Sequence, residues 1–289
     1  MDAAGRIERS LAQAVGLSQV SGCPPRLAQA MHHAVFPGGA RVRPRLCLAV
    51  AAANGGATPG VAEAAAAAIE LLHCASLVHD DLPCFDDAAM RRGKPSVHRA
   101  FGEPLAVLAG DALIVAAFQA LLQGAAAAPA QLPVLLAVIC GAAGVPFGLA
   151  AGQAWECEPA ADLSVYEQQK TGSLFAAAAV AGAAACGVPA EAWRGFGAAL
   201  GEAYQVADDL RDALSEAEEL GKPVGQDAMH GRPNAVSAFG LGGAVERLQG
   251  MAGAAVAAIP PCPGAASLRA LVGLEVKRLM PRRAAPVAA

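Results

Sequence analysis

Long alanine- and leucine-rich segments, separated by glycine and proline, are the feature of this sequence that most limits its possible folds. Valine and isoleucine are sparse, and no segment alternates apolar with polar residues over the length of a strand. Because alanine and leucine favour helices and the breakers recur at helical intervals, the pattern predicts an all-α protein. The alanine tracts at 64–68, 125–128, 176–179 and 182–185 indicate close contacts between helices.

The breaks between these segments are short, so the sequence predicts a single domain over residues 1–289. We expect a bundle of about ten or more helices, with an N-terminal helix in residues 1–20 and a flexible tail at 280–289. Neither the net charge of −4 nor any basic run indicates nucleic-acid binding. The eight cysteines lack C-x-x-C spacing, and we expect free thiols in a reducing, cytoplasmic compartment.

A membrane protein is the alternative that composition raises, since mean hydropathy is +0.41 and residues 112–155 carry no charge. Proline and glutamine interrupt that stretch, and no run of about 20 clean apolar residues has basic flanks. We therefore predict buried helices and no transmembrane segment. Residues 1–15 mix charged with apolar side chains and lack the apolar core of a signal peptide.

Two aspartate-rich motifs are the chemically distinctive part of the chain. The first, HDDLPCFDD, covers residues 79–87, and the second, QVADDLRD, covers residues 205–212. In the second motif Asp208 and Asp212 share one face of a helix, where like charges repel unless a cation neutralises them. All-oxygen ligands favour a hard cation, above all Mg²⁺, which commonly binds carboxylates together with substrate phosphates. An EF-hand is excluded, because its glycine and its alternating ligand positions are missing.

Basic segments accompany both motifs and indicate an anionic substrate. They read PGGARVRPR at 37–45, MRRGKP at 90–95, QQKTGSLF at 168–175 and LGKPVGQD at 220–227. Arginine binds phosphate through two donors at once, and lysine supplies a compact charge. The sequence has no G-x-x-x-x-G-K-[ST] loop, so nucleoside triphosphate chemistry is not indicated. The combination predicts a diphosphate that is carried on an apolar group and bound through Mg²⁺.

These motifs, in this order, resemble the trans-polyprenyl diphosphate synthase family over nearly the whole chain. The similarity is carried by residues 38–44, 71–98, 152–156, 170–175, 205–212 and 220–227. The resemblance implies an all-α bundle around a central active-site cavity, of the isoprenoid synthase type, assembled as a homodimer. It also implies head-to-tail condensation of isopentenyl diphosphate with an allylic diphosphate, namely dimethylallyl, geranyl or farnesyl diphosphate.

The resemblance also assigns roles to individual side chains. The ligands that it implies for about three Mg²⁺ ions per site are Asp80, Asp86, Asp208 and Asp212. The catalytic set is completed by Asp81, Asp209 and Lys170. The positions that match contacts to the allylic diphosphate are Arg91, Lys170, Thr171, Gln205 and Lys222. Those that match contacts to isopentenyl diphosphate are Arg43, His73 and Arg92, and further substrate contacts are expected from Arg41, Gln153, Arg232 and Phe175.

In the implied reaction, cationic groups stabilise the leaving diphosphate while the allylic C–O bond ionises. The double bond of isopentenyl diphosphate attacks the resulting cation, a proton is lost, and a water-poor cavity protects the cation. The sequence departs from the family pattern at Ala40, where lysine is usual, and at Glu156, where aspartate is usual. We expect Arg41 or Arg43 to bind more of the diphosphate in place of the missing lysine.

The predicted product is geranylgeranyl diphosphate (C20), a precursor of carotenoids in the family. The growing chain should run along the helix that precedes Asp80, where one turn of about 5.4 Å matches one isoprene unit. Ala75 lies five residues before Asp80, where C15-producing relatives tend to carry a large aromatic residue. Leu71 and Leu72 are expected to form the floor of the tunnel, with Phe118 contributing from the next helix.

Other functions fit parts of the sequence. Farnesyl diphosphate (C15) synthesis would require a shorter tunnel than a methyl group at Ala75 indicates. A class I terpene cyclase would share the first motif, but it is not expected to carry the second motif followed by Lys222. A non-catalytic partner subunit of another synthase is compatible with Ala40, although both aspartate motifs are intact.

Overall fold

The structure, a computed structural model, is built from helices and one short β-hairpin in the residues that it describes. These are residues 2–36, 38–56, 58, 60–159, 165–166, 168–214 and 235–279. Within them, twelve α-helices and the hairpin are joined by short 3₁₀ and π segments. The all-α fold predicted from the sequence is therefore confirmed.

The helices are α1 Ala3–Gly16, α2 Pro25–Val35, α3 Val42–Ala53, α4 Val61–Asp80, α5 Val97–Phe101, α6 Glu103–Gly124, α7 Leu132–Ala143, α8 Leu149–Ala154, α9 Ser173–Ala184, α10 Arg194–Leu214, α11 Ala235–Ala257 and α12 Ala265–Leu279. The antiparallel strands β1 Met90–Arg91 and β2 Lys94–Pro95 lie between α4 and α5. A π-helical turn, Gln168–Gly172, leads into α9, and α11 is interrupted at Gly240, where φ is 69°. The predicted N-terminal helix corresponds to α1, whereas the predicted tail at 280–289 lies outside the described residues.

Helices α4 and α9 form the centre of the bundle. Most of α4 is buried, and so is every residue of α9 after Ser173. α4 packs along α6 and against α3 and α9, and α9 also contacts α3, α7 and α10. These approaches are close because small residues meet: a Cβ added at Gly182 would lie 2.4 Å from the carbonyl oxygen of Cys47. The alanine tracts in α4 and α9 therefore lie at close helix contacts, as predicted.

In the part of the chain that the structure describes, two helices are long and apolar enough to cross a membrane, by length and composition alone. In α4, 78% of the 18-residue apolar stretch is buried inside the protein. In the segment Glu103–Ala127 only 44% is buried, because Leu108, Val115 and Leu122 expose apolar side chains along α6. Burial in the core thus accounts for the hydropathy of α4, whereas α6 keeps an exposed apolar face.

Candidate active site

One cavity of about 660 Å³ collects most of the residues that the sequence singled out. It is enclosed by the start of α3, the second half of α4, the hairpin, α8, the π-helical turn and α10. The predicted residues that line it are Asp80, Asp86, Asp208, Asp209, Asp212, Arg41, Arg43, His73, Arg91, Arg92, Gln153, Lys170, Thr171 and Gln205. A larger surface groove beside α2, about 870 Å³, is lined by none of them, so chemistry rather than size identifies the site.

The remaining predicted residues lie outside this lining. They are Asp81, Phe175, Ala75, Leu71 and Leu72, which are buried, and Phe118, which is partly buried. Two more, Lys222 and Arg232, lie outside the described residues. On α4 the lining comes from one stripe of the helix, which is formed by Glu70, His73, Ser76, Leu77 and Asp80.

Asp80, the last residue of α4, is the centre of the first motif. Its Oδ1 accepts hydrogen bonds from Gln153 Nε2 at 2.9 Å and from Lys170 Nζ at 3.3 Å. Burial raises the pKa of Asp80, the charge of Lys170 opposes this rise, and the neighbouring Asp86 and Glu156 add to it. The carboxylate therefore has too little positive charge around it, a deficit that a bound cation would relieve.

The Asp81 side chain binds Arg91 and does not itself line the cavity. The residue is only 2% exposed, and its Oδ1 accepts a hydrogen bond from Arg91 Nε at 2.9 Å. Burial raises the pKa of Asp81, whereas the hydrogen bond from Arg91 lowers it. Since Arg91 lines the cavity, Asp81 holds the positively charged guanidinium of Arg91 at the cavity wall.

Glu156 gathers three donors at the other side of Asp80. Its carboxylate accepts hydrogen bonds from Lys170 Nζ at 2.6 Å, Gln153 Nε2 at 2.7 Å and the Tyr166 hydroxyl at 2.5 Å. Lys170 thus bridges the carboxylates of Asp80 and Glu156. The longer side chain that replaces the usual aspartate consequently remains part of the site.

The second motif divides its aspartates between two environments. Asp209 is buried and accepts hydrogen bonds from Gln205 Nε2 at 3.0 Å and from the backbone N–H of Ala235 at 2.7 Å. Gln205 in turn accepts a hydrogen bond from Thr171 Oγ1 at 2.8 Å. Asp208, by contrast, is 47% exposed and lines the cavity. Asp209 therefore fixes α10 to its neighbours, while Asp208, which lies close to Arg211, faces the cavity.

Arg41 borders the cavity, but all three of its guanidinium nitrogens are already bound. Nη1 donates to Glu70, Nε to Glu8 and Nη2 to the carbonyl oxygen of Val35, each at 2.8 Å. The left-handed φ of 51° just before α3 turns the side chain into this buried position. The expectation that Arg41 replaces the lysine missing at Ala40 therefore fits poorly, because no guanidinium nitrogen is left for a phosphate.

Arg43 and Arg92 form the cationic corner that remains. The Arg43 guanidinium carbon lies 4.6 Å from the centre of the Phe175 ring, and the buried Nε of Arg43 has no hydrogen-bond partner among the described residues. Arg92 Nη2 lies 3.8 Å from the carboxylate of Glu70. Burial, together with the charges of Arg43 and Arg92, holds the pKa of His73 well below its ordinary value, so this imidazole is neutral at pH 7. The corner suits an anion.

Sequence reasoning missed several residues that line this cavity, above all Glu70, Ser76, Tyr166 and Arg211. A signal for Glu70 was present, since it is the only charged residue in the apolar segment 64–78. Ser76 could have been found from its position four residues before Asp80, which places it on the same helix face. Nothing in the sequence pattern distinguished Tyr166 from an ordinary surface residue.

The carboxylates of the cavity fit a divalent cation whose coordination sphere is completed by ligands from outside the protein. Among the residues with described positions, no three His, Cys, Asp or Glu side chains converge as a closed metal site would require. The two motifs instead present separate carboxylates to one cavity. Such carboxylates suit Mg²⁺, which keeps several waters and takes oxygens from substrate phosphates. The raised pKa of Asp80 agrees with a site that lacks positive charge.

Comparison with known proteins places these observations in a family context. Residues 24–252 match the polyprenyl synthetase family. A geranylgeranyl diphosphate synthase of Cereibacter sphaeroides is 53% identical over 280 residues and covers 97% of both chains. One from Rhodobacter capsulatus is 50% identical and covers 95% of both chains. The structure of a geranyltransferase from Helicobacter pylori, complexed with magnesium and isoprenyl diphosphate, matches with a TM-score of 0.79 and 27% identity, over 95% of this chain and 97% of that chain.

Proposed function

Because the chain belongs to the polyprenyl synthetase family, we propose that it is a geranylgeranyl diphosphate synthase. It is an enzyme that transfers prenyl groups, condensing isopentenyl diphosphate head to tail with allylic diphosphates. The observation that carries this function is the cavity in which carboxylates of both aspartate motifs meet the predicted cations. The relatives that are 50% and 53% identical over nearly their whole length carry the name of this activity.

The allylic diphosphate is proposed to bind beside the first motif. Lys170 is held there by Asp80 and Glu156, and Arg91 is held by Asp81. Both positively charged side chains are thus in place before a substrate arrives, which lowers the entropic cost of binding that substrate. The other side chains proposed to contact this diphosphate are Thr171, Gln205, Gln153, Lys222 and Arg232.

Mg²⁺ is proposed to bind Asp80, Asp86, Asp208 and Asp212. When bound, it neutralises negative charge on the diphosphate as that group leaves. The number of ions, about three, stays a prediction that rests on the family. Asp81 and Asp209 are proposed to act through neighbouring side chains: Asp81 orients Arg91, and Asp209 fixes Gln205.

Isopentenyl diphosphate is proposed to bind in the corner formed by Arg43, Arg92 and His73. The Nε of Arg43 has no hydrogen-bond partner in the described structure, and an unsatisfied buried donor is costly. A phosphate oxygen would satisfy it. His73 is neutral at pH 7 and donates one N–H, which avoids adding a third charge to this corner.

The condensation then requires little proton transfer by the protein. The allylic C–O bond breaks and its electron pair leaves with the diphosphate. The double bond of isopentenyl diphosphate supplies the pair for the new C–C bond, and the released diphosphate takes the proton that is lost. Phe175, fully buried on α9, forms part of the apolar wall beside Arg43, and such walls keep water from the cation.

The proposal of a C20 product rests on the sizes of the side chains along α4. Ala75 is buried one position away from Ser76, which lines the cavity, so both residues at this level are small. Leu71 and Leu72, about one turn earlier, are buried in the core and are proposed to stop the chain. Phe118, on α6, is proposed to contribute to the same floor.

The enzyme is proposed to act in the cytoplasm as a homodimer. Support for the dimer comes from α6, where Leu108, Val115 and Leu122 recur at a spacing of seven residues and are more than half exposed. A repeated apolar stripe of this kind is typical of a face that another helix covers.

The test is incubation of the purified protein alone with labelled isopentenyl diphosphate, Mg²⁺ and each allylic diphosphate in turn. We expect C20 as the longest main product after removal of the phosphates. A C15 end product would mean farnesyl diphosphate synthesis, and a cyclic hydrocarbon formed without isopentenyl diphosphate would mean a terpene cyclase. No product from the protein alone, with activity only on adding another synthase, would mean a partner subunit.

A further inference from the structure

Arg211 places a positive charge inside the second aspartate motif, at the cavity wall. Its Nη2 lies 3.2 Å from Asp208 Oδ1, and its guanidinium carbon lies 5.5 Å from the centre of the Tyr204 ring. Nε donates a hydrogen bond to the carbonyl oxygen of Ala207 at 3.3 Å. The chain thus brings its own cation to one of the carboxylates that is proposed to bind Mg²⁺.

The guanidinium of Arg211 is incompletely satisfied in this arrangement. Among the residues with described positions, Nη2 is buried and has no hydrogen-bond partner, even though it is close enough to Asp208 for charge attraction. A buried donor without an acceptor destabilises the folded protein, and an incoming oxygen ligand would remove that cost. The nearby Tyr204 ring lies beside the same cavity, where an oxygen of a bound ligand would be an acceptor for this group.

We propose that Arg211 is an exchangeable counter-ion of the second motif, which pairs with Asp208 in the free enzyme and with a diphosphate oxygen in the complex. A divalent cation at Asp208 would repel the guanidinium, whereas a diphosphate would attract it. The second motif therefore binds its metal weakly until a diphosphate is present to receive Arg211. This inference rests on the proposed function, because it requires a diphosphate ligand.

An ordinary surface pair is the simpler explanation, and the chain offers one for comparison. Arg278 and Glu275 form an ion pair at 2.9 Å with the same i, i+3 spacing, on α12. The Arg278 side chain is 69% exposed, whereas that of Arg211 is 34% exposed and lines the cavity. Exposed pairs of this kind contribute little to stability or binding. The position of Arg211, rather than the pairing itself, gives it a role.

Binding of Mn²⁺ and of inorganic pyrophosphate, followed by calorimetry and by the electron paramagnetic resonance of free Mn²⁺, tests this exchange without catalysis. For Arg211→Gln we expect Mn²⁺ alone to bind about fivefold more tightly at the second motif, since a repelling charge is gone. Pyrophosphate in the presence of Mn²⁺ should bind at least about tenfold more weakly, since a charge-assisted hydrogen bond is lost. Arg211→Lys should keep most of both properties, and Arg278→Gln should change neither.

Opposite changes in the two affinities are the signature of an exchangeable counter-ion. If Arg211→Gln leaves Mn²⁺ binding unchanged or weakens it, the pairing with Asp208 does not compete with metal. If pyrophosphate binds equally well to Arg211→Gln and wild type, Arg211 does not contact the diphosphate. If the wild type binds no pyrophosphate with Mn²⁺, the proposed function itself fails. Thermal unfolding of each variant establishes beforehand that the fold is intact.

Discussion

Glu70 shows how much one buried carboxylate decides in this cavity. It is 1% exposed, it binds Arg41 at 2.8 Å, and it lies 3.8 Å from Arg92. Arg41 and Arg92 both have a left-handed backbone, with φ of 51° and 52°. A single acid on α4 thus offsets the charge of two arginines that approach it from different segments. Its loss would leave the buried Arg41 with Glu8, which is 44% exposed, as its remaining carboxylate partner.

The first prediction concerns that loss. Glu70→Gln should lower the free energy of unfolding by about 3 kcal/mol and should also raise the KM for isopentenyl diphosphate, since Arg92 loses its anchor. Urea denaturation and steady-state kinetics measure the two effects. Glu63→Gln is the matched control on α4, because its pair with Arg6 is partly exposed and should contribute less than about 1 kcal/mol. Equal losses in both variants would contradict the role given to Glu70.

The second prediction concerns the carboxylates. Asp80→Asn and Asp208→Asn should each lower turnover roughly 100-fold or more, because each removes a charge proposed to act on the leaving group. Stability should stay unchanged or rise for Asp80→Asn, since burial raises the pKa of Asp80 and the charged form is the costly one. Kinetics at saturating Mg²⁺ and thermal unfolding test both points. Glu202→Gln, exposed on α10 outside the cavity lining, should keep full activity, and near-normal turnover of either aspartate variant would exclude that residue as a ligand.

The third prediction concerns alkaline pH. Burial raises the pKa of the Cys74 thiol to about 11, against 9.0 for an unperturbed thiol. Below pH 9 both states keep the proton, whereas above it the unfolded chain releases the proton first. Stability should therefore fall between about pH 9 and pH 11, by about 2 to 3 kcal/mol from this thiol. Denaturation across that range should give a shallower fall for Cys74→Ala than for wild type, and identical slopes would refute the assignment.

At the scale of elements, sequence and structure agree on the helices but differ at one break. The basic segment at 90–95, in which Gly93 and Pro95 indicate only a break between helices, forms the hairpin of β1 and β2. Positive φ values at Arg92 and Gly93, 52° and 74°, are typical of a two-residue hairpin turn. Gly93 signals such a turn, but strands of two residues are too short to show alternation. The hairpin lets Arg91 reach Asp81 while Arg92 reaches the side of α4 that carries Glu70.

The fourth prediction belongs to α4. Ala75→Phe and Ser76→Phe should both shift the main product from C20 to C15, since an aromatic ring at this level blocks the chain. Leu72→Ala should lengthen the product beyond C20, because one turn corresponds to about one isoprene unit. Chromatography of dephosphorylated products measures the lengths, with Ser76→Ala as a control that should still give C20. A wild-type C15 product, or C20 from both phenylalanine variants, would place the floor of the tunnel elsewhere.

At the scale of the whole molecule, the exposed face of α6 requires an explanation. Leu108, Val115 and Leu122 are 52%, 56% and 53% exposed, whereas α4, the other long apolar helix among the described residues, is mostly buried. A second copy of the chain would bury this face by symmetry, and an interface of about 800 Å² per partner is enough for a stable dimer. Such a dimer would account for the exposed apolar side chains of α6.

The fifth prediction is therefore about assembly. Sedimentation or light scattering should show a dimer for wild type and a monomer for the double variant Val115→Glu with Leu122→Glu, because two charges would be buried at the interface. Leu274→Glu on α12, where the side chain is similarly exposed, is the control and should remain dimeric. A monomeric wild type, or dissociation of the control alone, would show that α6 does not form the interface.

The sequence predicted which residues meet in the cavity better than it predicted what each one contacts. The aspartates, His73 and Lys170 were predicted to act together because they match the motifs of one family. The turning of Arg41 toward Glu70 could not be predicted, since it depends on a left-handed residue and on which face of α4 meets α1 and α3. The same holds for Asp209, whose partner Ala235 is distant in sequence. Directions of buried side chains come from packing, which local patterns do not encode.

The hydrogen bond from the Ala235 N–H to Asp209 has a consequence for how two helices respond to substitution. Ala235 is the first residue of α11, so this bond fastens the beginning of α11 to the second aspartate motif on α10. A buried N–H that loses its acceptor costs about 1–3 kcal/mol. A substitution that removes the Asp209 carboxylate would therefore destabilise the beginning of α11 as well as the motif that carries the aspartate.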